Sequence, residues 1–139
     1  MKNSTKACLA AYLAALLFLL VVDMVWLGLL MTDQYQQWIG PLMRAQPLLA
    51  PAAAFYLLYP VGIVVFASRP ALQQNNWKQA ALLGALLGLV AYGTYDLSNL
   101  ATLQGWPLQL TVVDMLWGAA LSCGSALAGY VAGARWAAR

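Results

Sequence analysis

The sequence predicts an all-α polytopic membrane protein, with four transmembrane helices in an antiparallel bundle. Three observations predict it. Of 139 residues, 63% are hydrophobic and only 8% charged, with a mean hydropathy of +0.72. A soluble domain carries roughly 25% charged residues, because its surface must face water. Four apolar runs are each long enough to cross a bilayer, and nearly every Lys and Arg flanks one of them. A chain of this length is expected to form a single domain over residues 1–139.

The first run, Ala7–Met31, has 25 residues. At about 1.5 Å per residue it spans roughly 37 Å, enough for a hydrocarbon core of about 30 Å with some tilt. Lys2 and Lys6 before it imitate a signal peptide, but the run is long for that and no small-x-small cleavage site follows. It is read as a retained helix. The second run, Leu48–Ala67, begins near Pro51 and contains Pro60, which should kink it and free the carbonyl of Tyr56. The third is Ala80–Leu103 and the fourth Leu108–Ala134. Only QGWP (104–107) separates these two, so they should be antiparallel neighbours.

Cation placement sets the expected orientation. With the N-terminus inside, Lys2, Lys6, Arg69, Lys78, Arg135 and Arg139 share the inner face, and Arg44 alone lies outside. That six-to-one bias predicts both termini in the cytoplasm. Trp77 and Trp136 then fall at the inner interface, Trp38 and Trp106 at the outer one. Between the first two runs, Tyr35, Trp38, Ile39, Leu42 and Met43 recur at helical spacing opposite Gln34, Gln36, Gln37 and Arg44. An amphipathic segment in the outer interface is expected there, with an ordered loop anchored by Trp38 as the alternative.

Two near-repeats, VVDMVW (21–26) and VVDMLW (112–117), each set an aspartate into an apolar run, and YGTYDLSNL (92–100) adds a third. Counted from the run ends, Asp23, Asp96 and Asp114 all lie about 9–12 Å below the outer boundary. An ionised Asp at the bilayer centre costs about 2.5–3.5 kcal/mol on insertion scales, so these side chains should face the bundle interior or a water-filled cavity. Gly84, Gly88, Tyr92, Tyr95, Asp96 and Asn99 share one face of the third helix. Asp114, Gly118, Ser122, Ser125, Gly129 and Gly133 share one face of the fourth. Small residues permit close approach, and these faces should meet. Tyr56 and Tyr59 point to the same region from the second helix. Three neighbouring carboxylates, with Arg44 as the one cation on that side, should not all be ionised at neutral pH. A proton or another cation is expected among them.

Plainer roles stand beside this reading. Thr111-x-x-Asp114 fits a capping box. Asp96 could be a neutral hydrogen-bonded contact, and Trp26 and Trp117 could serve packing or could stack on a ligand. The near-repeat alone does not establish duplication.

Other classes are excluded or demoted by what the sequence lacks. There is no basic stripe for nucleic acid. There is no histidine, no metal-ligand spacing and no cofactor fingerprint, and Cys8 and Cys123 should lie at different depths. VVDMVWLGLL, GTYDLSNLATLQGWPL and TVVDMLWG resemble the bacterial membrane proteins grouped as domain of unknown function 2177. The resemblance covers essentially the whole chain. It implies a four-helix inner-membrane protein and brings no substrate, cofactor or catalytic residue with it.

Functionally, the leading expectation is binding or transport of a proton, a cation or a small cationic or lipophilic ligand. An outward-facing pocket of Asp23, Asp96, Asp114, Tyr92, Tyr95, Asn99, Trp26, Trp117 and Arg44 would hold it. Four helices make a thin pathway, so transport would need a homo-oligomer or a membrane partner. The alternatives are an enzyme or accessory in lipid modification, with an enzyme the less favoured, and a structural subunit whose aspartates lock helices together.

Overall fold

The structure, a computed structural model, describes residues 2–137, with side chains described from residue 4. Of the cations in the orientation argument, Arg139 and the side chain of Lys2 lie outside the described residues. Four helices are long and apolar enough to cross a membrane: Ser4–Leu30, Leu49–Gln73, Trp77–Thr102 and Leu108–Ala137. Large apolar side chains cover their outer surfaces, among them Leu9, Leu13, Leu17, Leu58, Leu82 and Leu116, each more than half exposed. A water-facing surface of that kind would aggregate, whereas lipid accepts it.

Small residues at four-residue spacing organise the interior. On the first span Ala7, Ala11, Ala15, Leu19 and Asp23 are all buried. On the third, Ala80, Gly84, Gly88 and Asp96 are buried on one such row, with Tyr92 between the last two. Residues four apart stack on one helix face, so each row is a single ridge, and each ends in an aspartate. The fourth span packs against both ridges. Its Gly118, Ser122, Ala126, Gly129 and Gly133 are buried. A Cβ on Gly84 would lie 2.6 Å from the Ala126 methyl, and one on Gly88 would strike the Gly118 carbonyl. Buried hydroxyls tie the seams: Ser125 donates to the Ala15 carbonyl at 2.9 Å, and Ser68 to that of Ala126 at 3.0 Å.

The second span runs longer than expected. It remains helical through Pro60 and runs past Ala67 to Gln73. The α geometry widens to a π turn at Val64–Ser68, between Pro60 and Pro70, each of which removes one amide from the ladder. Near Pro60, the Leu57 carbonyl, one residue beyond the one predicted to be freed, accepts the Tyr12 hydroxyl at 2.9 Å. Packing also differs between the two halves. Pro60, Ile63, Val64, Ala67, Ser68 and Ala71 are buried, while no residue from Leu49 to Tyr59 is. The N-terminal half of this span is therefore largely exposed and joins the bundle through Tyr56 and Tyr59.

The remaining ends are set locally. Asn76 caps the third span, its side chain accepting from the amides of Lys78 and Gln79. The turn into the fourth span places Gly105 at φ +78°, a conformation that favours glycine. It folds Trp106 inward. That indole is 9% exposed and donates to Thr111 Oγ1 at 3.1 Å, so it lies against the bundle. Trp77 and Trp136 stand 55% and 45% exposed at the opposite end, as belt residues would.

Candidate functional site

At the end where the first span closes, a π turn over Trp26–Leu30 leads to Met31, whose amide donates to the Trp26 carbonyl at 2.9 Å. A short helix, Thr32–Ile39, follows. This is the segment predicted from its periodicity, but Tyr35 is not anchored outward. Its hydroxyl reaches back into the bundle and donates to Asp114 Oδ1 at 2.9 Å, while accepting from Trp26 Nε1 at 3.3 Å. Burial pushes the Tyr35 phenol above its ordinary value, and the Asp114 charge adds to this against the opposing Trp26 hydrogen bond. The hydroxyl thus keeps its proton and remains a donor at neutral pH.

The near-repeats are used as a pair. Trp26 and Trp117 stack with centroids 4.1 Å apart and planes at 5°. Trp117 Nε1 donates to Asp23 Oδ1 at 3.1 Å. Trp26 reaches Asp114 through Tyr35. The two helices are antiparallel, so a turn-long offset from Asp to Trp brings the tryptophan of each motif level with the aspartate of the other. The exchange is direct on one side and relayed on the other. Asp23 is then completed by Tyr56, whose hydroxyl donates to Oδ2 at 2.6 Å.

The three aspartates meet different partners. Asp23 is 5% exposed with both oxygens bonded. Asp96 is fully buried, and neither of its carboxyl oxygens has a hydrogen-bond partner from an N–H or hydroxyl group among the described residues. Opposite it lies the stretch of the fourth span that carries Asp114: Thr111 Oγ1 is 3.5 Å from the Asp96 carbonyl oxygen, and Met115 borders Gly93. Among the described residues, no group of three acids, cysteines or histidines is gathered closely enough to hold a metal ion. Asp114 sits within its helix, two turns from the start, and accepts from Tyr35 and not from first-turn amides, so the capping-box alternative does not hold.

Asp114 also lines a cleft of about 420 Å³ with Phe55, Tyr59, Ala91, Tyr92 and Tyr95. The cleft lies between the N-terminal half of the second span and the third span, with Asp114 contributed by the fourth. Tyr59 is fixed by Ser122 at 2.7 Å and packs edge-on against Tyr92. Phe55 stacks on Tyr59 at 5.3 Å, and Tyr95 meets Trp106 edge-on at 5.7 Å. Asn99 lies one turn from Tyr95, half-buried, and interacts with its hydroxyl. Arg44 is exposed in the following loop and has no ion pair with any carboxylate among the described residues. Lys6, Arg69, Lys78 and Arg135 cluster at the far end. Lys78 is 18 residues from Asp96, about 27 Å along the helix. Sequence reasoning named Asp114, Tyr92 and Tyr95 but missed Phe55 and Tyr35. The i, i+4 spacing of Phe55 and Tyr59 ahead of Pro60 was the available signal.

Four apolar helices enclosing aspartates near one end define a polytopic membrane protein. A family model described as predicted membrane protein (DUF2177) matches residues 8–131, and the chain belongs to that family. No curated protein and no solved structure matches it.

Proposed function

We propose that the protein binds a small organic cation, or a lipophilic ligand bearing a cationic group, in the cleft between its second and third spans. The observation carrying this reading is the cleft's chemistry. Four aromatic side chains and Asp114 line one opening, and no Lys or Arg among the described residues forms an ion pair with that acid. Aromatic faces attract cations through their quadrupoles, most effectively when desolvated, and quaternary ammonium groups are recognised in this way. A carboxylate below the aromatic wall supplies the counter-charge. Cation bias in the sequence supports an inner-membrane location with cytoplasmic termini, which would turn the cleft outward. The whole chain would act as one domain, and transport would require a homo-oligomer or a membrane partner to complete a pathway.

Benzyltrimethylammonium is a suitable probe. Calorimetry in lipid nanodiscs should register its binding to the wild type. Asp114→Asn should weaken it at least ten-fold, equivalent to about 1.4 kcal/mol. Equal affinity in the two proteins would remove Asp114 from the site and the reading with it.

A second role, locking helices together, is favoured for Asp23 alone. Both of its oxygens are occupied, by Tyr56 from the second span and Trp117 from the fourth. At 5% exposure it offers a ligand almost no surface.

A further inference from the structure

We propose that Asp96 is a neutral carboxylic acid that donates its proton to Asp114, fixing the net charge of the pair at minus one and restricting the cleft to singly charged cations. This rests on the cation-binding reading above, but the proton itself does not. Asp96 is fully buried with both carboxyl oxygens lacking any N–H or hydroxyl partner among the described residues. An ionised carboxylate is not held in that condition, because nothing replaces the water it has lost. The group facing it from the fourth span is Asp114, itself an acceptor. On its own helix Tyr95 is the titratable neighbour. From the linker helix, Tyr35 donates to Asp114 and not to Asp96. The second span's Tyr59 is engaged by Ser122, and the first span's Asp23 by Tyr56 and Trp117.

With no cation at hand, two facing acids can be satisfied together by one proton held between them. Asp96 becomes the donor. Asp114 keeps its charge, accepts from Asp96 and from Tyr35, and presents the remainder of its carboxylate to the cleft. Asp96 is thus a positioning residue: it orients Asp114 and sets the charge that a ligand meets.

The sequence makes the test clean, since the chain contains four aspartates and no glutamate. Infrared spectra of the ligand-free protein in nanodiscs at neutral pH should show the carbonyl stretch of a protonated carboxylic acid. Asp96→Asn should remove that band and Asp23→Asn should leave it. Asparagine also mimics a neutral acid that donates a hydrogen bond, so Asp96→Asn should bind benzyltrimethylammonium within three-fold of the wild type. Asp96→Leu, which cannot donate, should weaken binding at least ten-fold. Absence of the band in the wild type, or its survival in Asp96→Asn, would overturn the proposal, and so would a ten-fold loss of binding in Asp96→Asn. If the band behaves as expected but the wild type takes up no ammonium probe, the shared proton stands and the cation site fails. The wild-type spectrum decides the proton's presence even if a variant does not fold.

Discussion

Gly88→Ala should destabilise the protein by about 3 kcal/mol, although alanine is the better helix former. A methyl group there would enter the Gly118 carbonyl of the fourth span. That neighbour is backbone in the middle of a helix and cannot rotate away, so the two spans must separate along their seam. Overpacking a well-filled contact costs about 1–3 kcal/mol, and a backbone-to-backbone clash belongs at the upper end. The control is Gly62→Ala. No atom lies within 4 Å of the added methyl there, and the change should gain up to about 1 kcal/mol from helix propensity alone. Reversible unfolding in mixed micelles measures both. Equal effects at the two glycines would mean that the third and fourth spans do not pack as described.

Asp23→Ala should be comparably severe, for a different reason. It leaves the Tyr56 hydroxyl and the Trp117 indole N–H without their acceptor at a depth where water is scarce. Hydrogen bonds to a charged group contribute about 1.5–3 kcal/mol each in soluble proteins. Within membranes the average is lower, about 0.6 kcal/mol, because the unfolded state also finds partners. Two bonds to one carboxylate set limits of about 1 kcal/mol from the membrane average and about 6 kcal/mol from the soluble range, and a loss near the middle, about 3 kcal/mol, is expected. Tyr56→Phe should remove less than half of that, and a double-mutant cycle should return a coupling above about 1 kcal/mol. Tryptophan emission offers a second readout, since Trp117 is bonded to Asp23 and stacked on Trp26. Full stability in Asp23→Ala would show that this carboxylate does not clasp the helices.

Much of this arrangement was legible before any coordinates. The four spans follow from run length and hydropathy, and the contact faces of the third and fourth follow from small residues at four-residue spacing. Asp96 faces inward because it continues the row of Ala80, Gly84 and Gly88. Asp23 does so because it continues Ala7, Ala11 and Ala15. Periodicity transmits direction reliably along one helix.

It does not transmit tilt or the path of a linker, and the misses arose there. Asp23 and Asp114 were placed at one level by counting residues from the span ends. A difference of one helical turn, too small for that counting to resolve, is what lets each near-repeat's tryptophan meet the other's aspartate. Tyr35 was read only as part of an amphipathic face, because its spacing matches Trp38 and Ile39. Only the tuck of the linker helix turns its hydroxyl onto Asp114. The contact of Trp106 with Thr111 was likewise hidden, because it depends on the turn at Gly105. Phe55 was overlooked because the cleft it lines lies between the second span ahead of Pro60 and the third, which is a matter of packing between helices.

The nuclear Overhauser effect between the N-methyl protons of benzyltrimethylammonium and the aromatic rings of the protein tests the central claim most directly. In nanodiscs, cross-peaks are expected from Phe55, Tyr59, Tyr92 and Tyr95, and they should vanish in Asp114→Asn. Cross-peaks confined to Trp77 and Trp136 at the opposite end, or a pattern indifferent to Asp114, would contradict it.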